Sequence, residues 1–425
     1  MIDLLQLSIP FKSEHLIEVS SVDALNACYI DLEAIARRTG LRLTARDVEF
    51  EISGDLQVTG LSHPYESLPS YFGSLAVKVH QGSNLAPPRV ELKASPAKLL
   101  QGHNVFGPTD VALCAEALFT PFCLAMPLLA DFLDFEETYL AKIDCTFSAR
   151  MKTMNQTHQV MDILRNVSNG QTKATKCTRS QTYHSTMYWN ETSNSVRRKA
   201  YLKYLELQAD LECCKRELRY KPNDESLKRR IKVLSNPDLI EWAALLVRFE
   251  ASLFPRKLID LNIPYKLFDL ISYQIEYERE GRNLIYDMWS AAFNELFESF
   301  KGTVMNIYDD EKILELLKSA YHSTTPKGNI TYSKAQRIFG FYRRLVNEGY
   351  DEVFKTLPRR TFYDNLNLLI AAGLSKAQLQ NLQVEKNNNV IPLVQLIQVD
   401  FSQQYPDWYI EPVNPYDNVI QLKAS

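Results

Sequence analysis

The segment Val196-Arg197-Arg198-Lys199-Ala200-Tyr201-Leu202-Lys203-Tyr204-Leu205 alternates basic and apolar side chains. With the two-residue period of a β-strand, Arg197, Lys199, Tyr201 and Lys203 share one face, and Val196, Ala200 and Leu202 share the other, which Arg198 interrupts. This predicts a strand with one buried and one basic side, on which Tyr201 stands between two lysines. A phenol with a pKa of about 10 is a poor nucleophile at neutral pH, and adjacent ammonium groups that favour phenolate would help it attack a phosphodiester. A tyrosine packed into a basic sheet face produces the same pattern, and a helix from Lys199 to Leu218 would scatter it.

Upstream the basic character continues. From Arg165 to Tyr204 the chain carries Arg165, Lys173, Lys176, Arg179, Arg197, Arg198, Lys199 and Lys203 against one acid, Glu191. The net charge of the whole chain is -3, so a polyanion must be met by such a local patch and not by the global field. Asn166 to Thr182 is polar and small, which predicts a mobile loop. A solvated loop without a ligand has the same composition.

The parity test extends to other segments. Ile143, Cys145 and Phe147 oppose Lys142, Asp144 and Thr146; Leu245, Val247 and Phe249 oppose Arg248 and Glu250; Val90, Leu92 and Ala94 oppose Glu91, Lys93 and Ser95. An acid on a phosphate-facing surface is costly unless a cation joins it, which makes Asp144 and Glu250 candidate ligands for Mg²⁺ or Mn²⁺. Cross-strand ion pairs account for the same pattern equally well. The stretch Ser95 to Gly107 places Lys98, His103 and Asn104 in a glycine-bounded turn. There His103 can ligate metal or touch phosphate, although a lone loop histidine is more often a hydrogen-bonding turn residue.

Further strands are predicted at Leu4 to Phe11, Val48 to Ser53 and Leu75 to His80, and a helix bent or divided by Pro121 and Pro127 at Asp110 to Leu133. From Ser235 the pattern turns helical, with Asn236 and Pro237 suited to a helix start. Beyond Gly302, helices are predicted after Asp309-Asp310, over Ser333 to Glu348 with Gly349 as a stop, and over Pro358 to Ala372 with Gly373 as a stop. Strands followed by helices predict an α+β chain with an antiparallel sheet and a helical carboxy-terminal part. Its 425 residues, 45% of them hydrophobic, suffice for two or three domains.

Several classes are disfavoured. The apolar run Ala117 to Ala130 contains two prolines and falls short of the ~20 residues of a membrane span. Met1-Ile2-Asp3 lacks the basic start of a secretory signal, which predicts a cytosolic chain. The seven cysteines form no C-x-x-C pair, against a disulfide framework or structural zinc. No G-x-x-x-x-G-K-[ST], G-x-G-x-x-G or G-x-S-x-G motif occurs, so nucleotide-driven and serine-hydrolase chemistry lack their signatures.

Longer blocks carry a resemblance. Met1-Ile2-Asp3-Leu4-Leu5, Gly60-Leu61-Ser62-His63-Pro64, Lys93 to Gly107, Arg165 to Lys173, Trp189-Asn190-Glu191-Thr192-Ser193, Ala200-Tyr201-Leu202-Lys203, Val233 to Leu239, Met305 to Asp310, Phe339 to Asp351 and Pro406-Asp407-Trp408-Tyr409 resemble the gene II replication initiators of filamentous phages. The resemblance implies a rolling-circle initiator in the host bacterial cytoplasm. Such an enzyme nicks the viral strand of double-stranded origin DNA, holds the 5′ phosphate on Tyr201 and later rejoins the ends, with host helicase and polymerase as partners and possible self-association on DNA. A non-enzymatic DNA-binding regulator of replication is the alternative.

The likeness to plasmid initiators of the rolling-circle type suggests Glu206 as a ligand beside Asp144 and Glu250. The paired histidines of many such nucleases are missing, and Glu206 lies on the opposite face from Tyr201 of a regular strand, so a bulge or bend is needed. The organisation expected is a nicking and joining nuclease at 1–234 with its basic loop at 165–199. A helical connector at 235–302 completes that core with a strand near 246–252, and a helical part at 303–425 resembles the gene X protein. Lys98, Lys173, Lys176, Arg179, Arg197 and Arg198 are the expected DNA contacts, and Lys199 and Lys203 the expected aids to Tyr201.

Overall fold

A computed structural model describes residues 1–21, 24–50, 56–83, 86–165, 186–298, 310–324, 329–387 and 401–416. The architecture is α+β, built on an eight-stranded sheet. From one edge to the other its strands are Thr186–Trp189, Val196–Leu202, Leu246–Leu253, Tyr139–Arg150, Ile2–Pro10, Arg89–Ala94, Ser74–His80 and Glu66–Pro69. Each neighbouring pair is antiparallel. Two small hairpins, Ile17–Ser21 with Ala24–Tyr29 and Thr44–Phe50 with Leu56–Ser62, stand outside it.

The register sets up the site. Tyr201 pairs with Arg248 and Lys199 with Glu250, while Arg248 pairs with Ser148 and Ser252 with Asp144. On the first strand Ile2 faces Cys145 and Leu4 faces Asp144, so Asp3 is the extra residue of a β-bulge.

Alternation assigns Phe147, Phe249 and Ala200 to the opposite side. There the amphipathic helix Leu284–Glu298 packs Trp289 on Phe147 and Phe293 on Phe249. Each such aromatic burial stabilises the fold by roughly 1.5–3 kcal/mol. Arg198 follows the same parity and lies buried there, donating to the Ala292 carbonyl.

The strand carrying Tyr201 ends at Leu202, and Lys203 opens the helix Lys203–Tyr220. The expected continuation of the strand through Lys203 is therefore corrected, and Glu206 reaches the site side through the first helical turn. The predicted Asp110 to Leu133 helix is two: Val111–Ala125, capped by Asp110 and containing Pro121, and the short Pro127–Ala130.

A separate apolar core joins helices Asp310–Ala320, Ser333–Glu348, Tyr350–Thr356 and Arg359–Ala371 through Ile313, Leu317, Ile338, Phe341, Phe362 and Leu366. In the helix Lys376–Asn387, Leu379 and Leu382 belong to this core, but Ala377 packs into the core of the sheet. Residues 401–416, expected with the carboxy-terminal helices, instead lie on the sheet unit. Phe401 joins the Trp289 cluster, and Tyr405 and Tyr409 pack beside Phe106 and Leu207. An aromatic-rich segment so far along the chain from Glu298 carries no sequence mark of which core it will join. Among the described residues no helix is long and apolar enough to cross a membrane.

Candidate functional site

A cavity of about 470 Å³ opens where the Tyr201 strand, its two neighbours, the first strand and the Lys203 helix converge. Tyr201, Lys199, Glu250, Asp144, Asp3, Lys98 and Glu206 all line it. Tyr201 is 6% exposed, and its hydroxyl donates to Glu250 Oε2 at 3.2 Å. Lys199 Nζ binds the other oxygen of Glu250 at 2.8 Å and stands 5.0 Å above the Tyr201 ring.

Three carboxylates crowd this wall. Burial, despite Lys199, pushes Glu250 up to about 8, with Asp3 and Asp144 adding repulsion. Asp3 pays the same burial, but Arg248, Lys203 and Lys199 outweigh it and hold its carboxyl well below the usual range. Asp144 is salt-bridged to Lys142 at 3.0 Å through one oxygen, while its buried Oδ1 has no hydrogen-bond partner among the described residues.

Hard oxygen donors, an orphaned carboxylate oxygen and a carboxyl that keeps its proton near neutrality fit a divalent cation of the Mg²⁺ or Mn²⁺ kind. Among the described residues no three His, Cys, Asp or Glu side chains are yet gathered in ligating geometry. Lys142 and Lys199 supply the compensating charge here.

The opposite wall is a chain of ion pairs. Lys203 Nζ donates to Asn104 Oδ1 at 2.7 Å and pairs with Glu206. Lys98 binds Asp210 at 2.8 Å and approaches Glu206 at 3.6 Å, and Arg230 closes on Asp210 at 2.6 Å. Asn104 also donates to Asp3 at 2.7 Å, joining the two walls. Burial lowers Lys203 to about 8 in spite of Glu206. Glu206 itself is buried too, but Lys203 and Lys98 hold it below the usual carboxylate range.

The local field reverses one expectation. Burial, followed by Glu250 and Asp3, raises the Tyr201 phenol well above its ordinary value, and Arg248 is the cation that opposes this. Lys199 is engaged by Glu250 and Lys203 by Glu206, so neither lysine stands free to favour phenolate.

The other candidates separate. Arg197 stays at the rim, its Nε donating to the Ser193 carbonyl at 2.7 Å and its guanidinium over the Phe254 ring. Arg198 is withdrawn under the Leu284–Glu298 helix and does not join the cavity. His103 is buried beside the cavity and not in its lining. Its Nδ1 accepts from Val105 N at 3.2 Å, and burial, with Lys203 and Arg248, lowers it to about 3, so it serves the turn. Lys173, Lys176 and Arg179 lie outside the described residues.

Three contributors escaped the sequence reading. Asp3 carried a signal, an acid in phase with Leu5, Leu7 and Ile9. Arg248 shares the parity of Glu250. Asn104 had only its place in the glycine-bounded turn.

Against known proteins, the N-terminal family of the phage replication-associated protein matches residues 1–280, and the C-terminal family of the same protein matches residues 324–415. The replication-associated protein of Enterobacteria phage fd and that of Enterobacteria phage M13 are each 50% identical over 416 residues, 97% of this chain and 99% of theirs. That of Salmonella phage IKe is 49% identical over 429 residues, 100% of both chains. Among solved structures, the Rolling Circle Replication Initiator Protein from Geobacillus stearothermophilus aligns with a TM-score of 0.26 and 12% identity, covering 67% of this chain and 84% of that one.

Proposed function

The chain belongs to the family of replication-associated proteins of filamentous phages, and on that premise we propose that it nicks and rejoins one strand of phage origin DNA through Tyr201. The observation that carries this is a phenol hydrogen-bonded to Glu250 inside a cavity that also holds Lys98 and Lys199.

Tyr201 Oη attacks the scissile phosphorus. The Oη–P bond forms as the P–O3′ bond breaks, the phenolic proton passes to Glu250 Oε2, and the departing 3′ oxygen takes a proton from water. Burial pushes the Glu250 carboxyl up to about 8, so its ionised form, the one that accepts the proton, is a stronger base than an exposed carboxylate and is a minority near neutral pH. One phosphodiester is exchanged for a phosphotyrosyl ester of similar energy. Attack by a 3′-hydroxyl then restores the strand without ATP, which agrees with the missing nucleotide-binding loops.

Asp144, Glu250 and Asp3 would hold Mg²⁺ or Mn²⁺, with Glu206 facing them across the cavity. The cation supplies Lewis-acid charge for the scissile phosphate when bound. Lys98 and Lys199 flank the cavity as phosphate contacts, and Arg197, with Lys173, Lys176 and Arg179, provides the backbone-binding field. The freed 3′-hydroxyl would serve host polymerase and helicase in the host cytoplasm.

The test is incubation of the chain with supercoiled origin DNA and Mg²⁺, then denaturing electrophoresis. Protein attached to a 5′ end supports the reading. Salt-sensitive binding without an adduct would favour a regulator that only positions DNA.

A further inference from the structure

The helix Lys203–Tyr220 starts at the cavity and runs away from it. Its inner face is fixed twice: Leu207, Leu211 and Cys214 pack with Leu227 and Leu234 of the returning helix Glu225–Leu234, and Asp210 is gripped by Lys98 and Arg230. The outer face is bare. Leu205, Ala209, Glu212 and Arg216 are spaced by four, three and four residues, and Arg219 and Tyr220 follow three and four after Arg216, so the six form one stripe along the axis; all six are exposed. Leu205 and Ala209 also line the cavity, which makes the stripe continuous with it. The acid of the stripe, Glu212, is neutralised by Lys215 at 2.8 Å. Beyond it Arg216 touches the Cys213 sulfur at 3.6 Å, and Arg219 and Lys221 form no ion pair among the described residues. Tyr220, between them, is 83% exposed at the tip. From Glu212 to Lys232 the two helices and their turn carry eight Lys and Arg against four Asp and Glu, in a chain whose net charge is -3.

We infer that this stripe is a track for a double-stranded arm of the DNA, with Arg216, Arg219 and Lys221 on backbone phosphates and the Tyr220 ring against a sugar edge. The inference rests on the proposed nicking cavity and adds to it the path that the DNA takes on leaving. A rise of about 1.5 Å per residue puts Arg216 ~16 Å and Tyr220 ~22 Å from Leu205 at the cavity. Base pairs stack every ~3.4 Å, so these side chains come level with phosphates about five to seven pairs away from the reacting one. An exposed helix is a convex ridge about 10–12 Å across, which fits a major groove about 12 Å wide. A single strand would instead call for a groove with successive stacking rings, and the stripe offers one ring, at its far end. Such phosphate contacts fix position and register and carry no sequence information of their own. Lys98 belongs to the cavity and holds the helix through Asp210, so the track keeps a constant distance from Tyr201.

The experiment uses the full chain and labelled origin duplexes whose arm on either side of the nick site is short, about three base pairs, or long, about twelve. Binding is read by fluorescence anisotropy at several salt concentrations. For wild type, lengthening one of the two arms should strengthen binding. The double variant Arg216→Ala/Arg219→Ala should lose that gain, and its salt slope should fall by about two, so between 50 and 200 mM salt it loses roughly tenfold less affinity than wild type does. Lys228→Ala, which removes an exposed lysine of the returning helix paired with Glu225, should behave like wild type. In parallel, Leu205 or Tyr220 is replaced by p-benzoylphenylalanine and the photo-crosslinks on the long duplex are mapped; the two positions should mark sites about six to seven base pairs apart. The replaced side chains are exposed, so thermal melting should not change. Binding that ignores arm length, an equal loss from Lys228→Ala, crosslinks from the two positions that coincide, or a crosslink from position 220 that requires a single-stranded arm would each overturn the track. If even the wild-type chain forms no 5′ adduct, the nicking reading falls, and the spacing of the two crosslinks still decides the track. A normal adduct with coinciding crosslinks keeps the nicking reading and removes the track.

Discussion

Tyr201 donates its hydroxyl proton to Glu250 across 3.2 Å, and burial holds the Glu250 carboxyl up to about pH 8 in its protonated form. In the metal-free protein the phenol and the carboxyl proposed to take its proton are thus both neutral, and a cation at the carboxylates would favour ionised Glu250. In the proposed mechanism the phenolic proton goes to Glu250, and the lysines that flank Tyr201 in sequence are engaged by Glu250 and Glu206.

Tyr201→Phe should abolish the 5′ adduct and leave origin binding within a few-fold of wild type, since only the attacking oxygen is lost. Glu250→Gln keeps the shape but neither accepts the proton nor carries charge, so nicking should fall by roughly 10²–10⁴. Quantifying the adduct on denaturing gels and binding by mobility shift checks both. Normal adduct formation by the Phe variant would transfer the nucleophile's role elsewhere, with Tyr204 next to be tried.

The carboxylates also predict a pH-dependent stability. In the metal-free fold Glu250 keeps its proton to about pH 8, whereas an unfolded glutamate releases it near pH ~4. The folded state therefore binds more protons within that window, and stability falls as pH rises, by at most about 1.4 kcal/mol per pH unit for one proton. Asp3 is held ionised and titrates below this window. Burial lowers the Met1 amino group to about 5 and His103 to about 3, so both bind fewer protons in the fold than unfolded and oppose Glu250 over part of this window. The decline between pH 5 and 8 should therefore appear in the difference between the melting curves of wild type and Glu250→Gln in EDTA, and added Mg²⁺ should flatten that difference. A difference that is already flat in EDTA would show that Glu250 does not keep its proton in the fold. Asp144→Asn should weaken the Mg²⁺ effect and, by removing a repulsive charge beside Glu250, bring the upper end of the Glu250 contribution in EDTA to lower pH.

Much of the sheet was legible because alternation survives burial. Val90 to Ala94, Leu75 to His80 and the 246–252 strand read correctly, and the parity of Asp144, Glu250 and Tyr201 placed three site residues on one face. What failed was non-local. Nothing in Arg198 distinguishes a rim arginine from one buried beneath a helix that begins 86 residues later. Lys203 keeps the strand's phase although the chain has already turned into a helix. Asp3 escaped because a bulge re-aims it, and the docking of Gln404 on Ser148 because its partners are backbone atoms 256 residues away.

The turn that holds Arg248 should tolerate little change. A Cβ on Gly107 would stand 2.7 Å from the Ala97 Cβ, two atoms fixed to the backbone, with Gln101 Nε2 at 3.6 Å. Gly107→Ala should cost about 1–3 kcal/mol and lower the melting temperature. Adding Ala97→Gly removes the opposing atom, so the double variant should recover part of that loss, beyond what additivity of the single changes allows. Additive melting shifts would mean that the turn does not press on Ala97.

Phe297 and Phe401 meet with ring centroids 5.6 Å apart, so the chain leaves the sheet unit and returns to it at one place. Among the described residues between them, the helices from Asp310 to Ala371 have a core of their own. Replacing residues 299–400 by about six Gly/Ser residues, which span ~13 Å on average, should therefore leave the sheet, residues 401–416 and the proposed nicking site together. Among the described residues the loss includes the packing of the Lys376–Asn387 helix on the Met154–Leu164 helix and of Ala377 in the sheet core, the latter a small side chain whose removal should cost ~1 kcal/mol or less. This shortened chain should melt cooperatively and still form the 5′ adduct, whereas a chain ending at Glu298 lacks the contacts that residues 401–416 make with Ser148, Phe106 and Gly107 and should nick more slowly. In parallel, residues 310–387 expressed by themselves should give a cooperative helical melt by circular dichroism. A shortened chain that cannot fold would show that the helical part supports the sheet, and equal nicking by the two truncations would show that residues 401–416 are dispensable to the site.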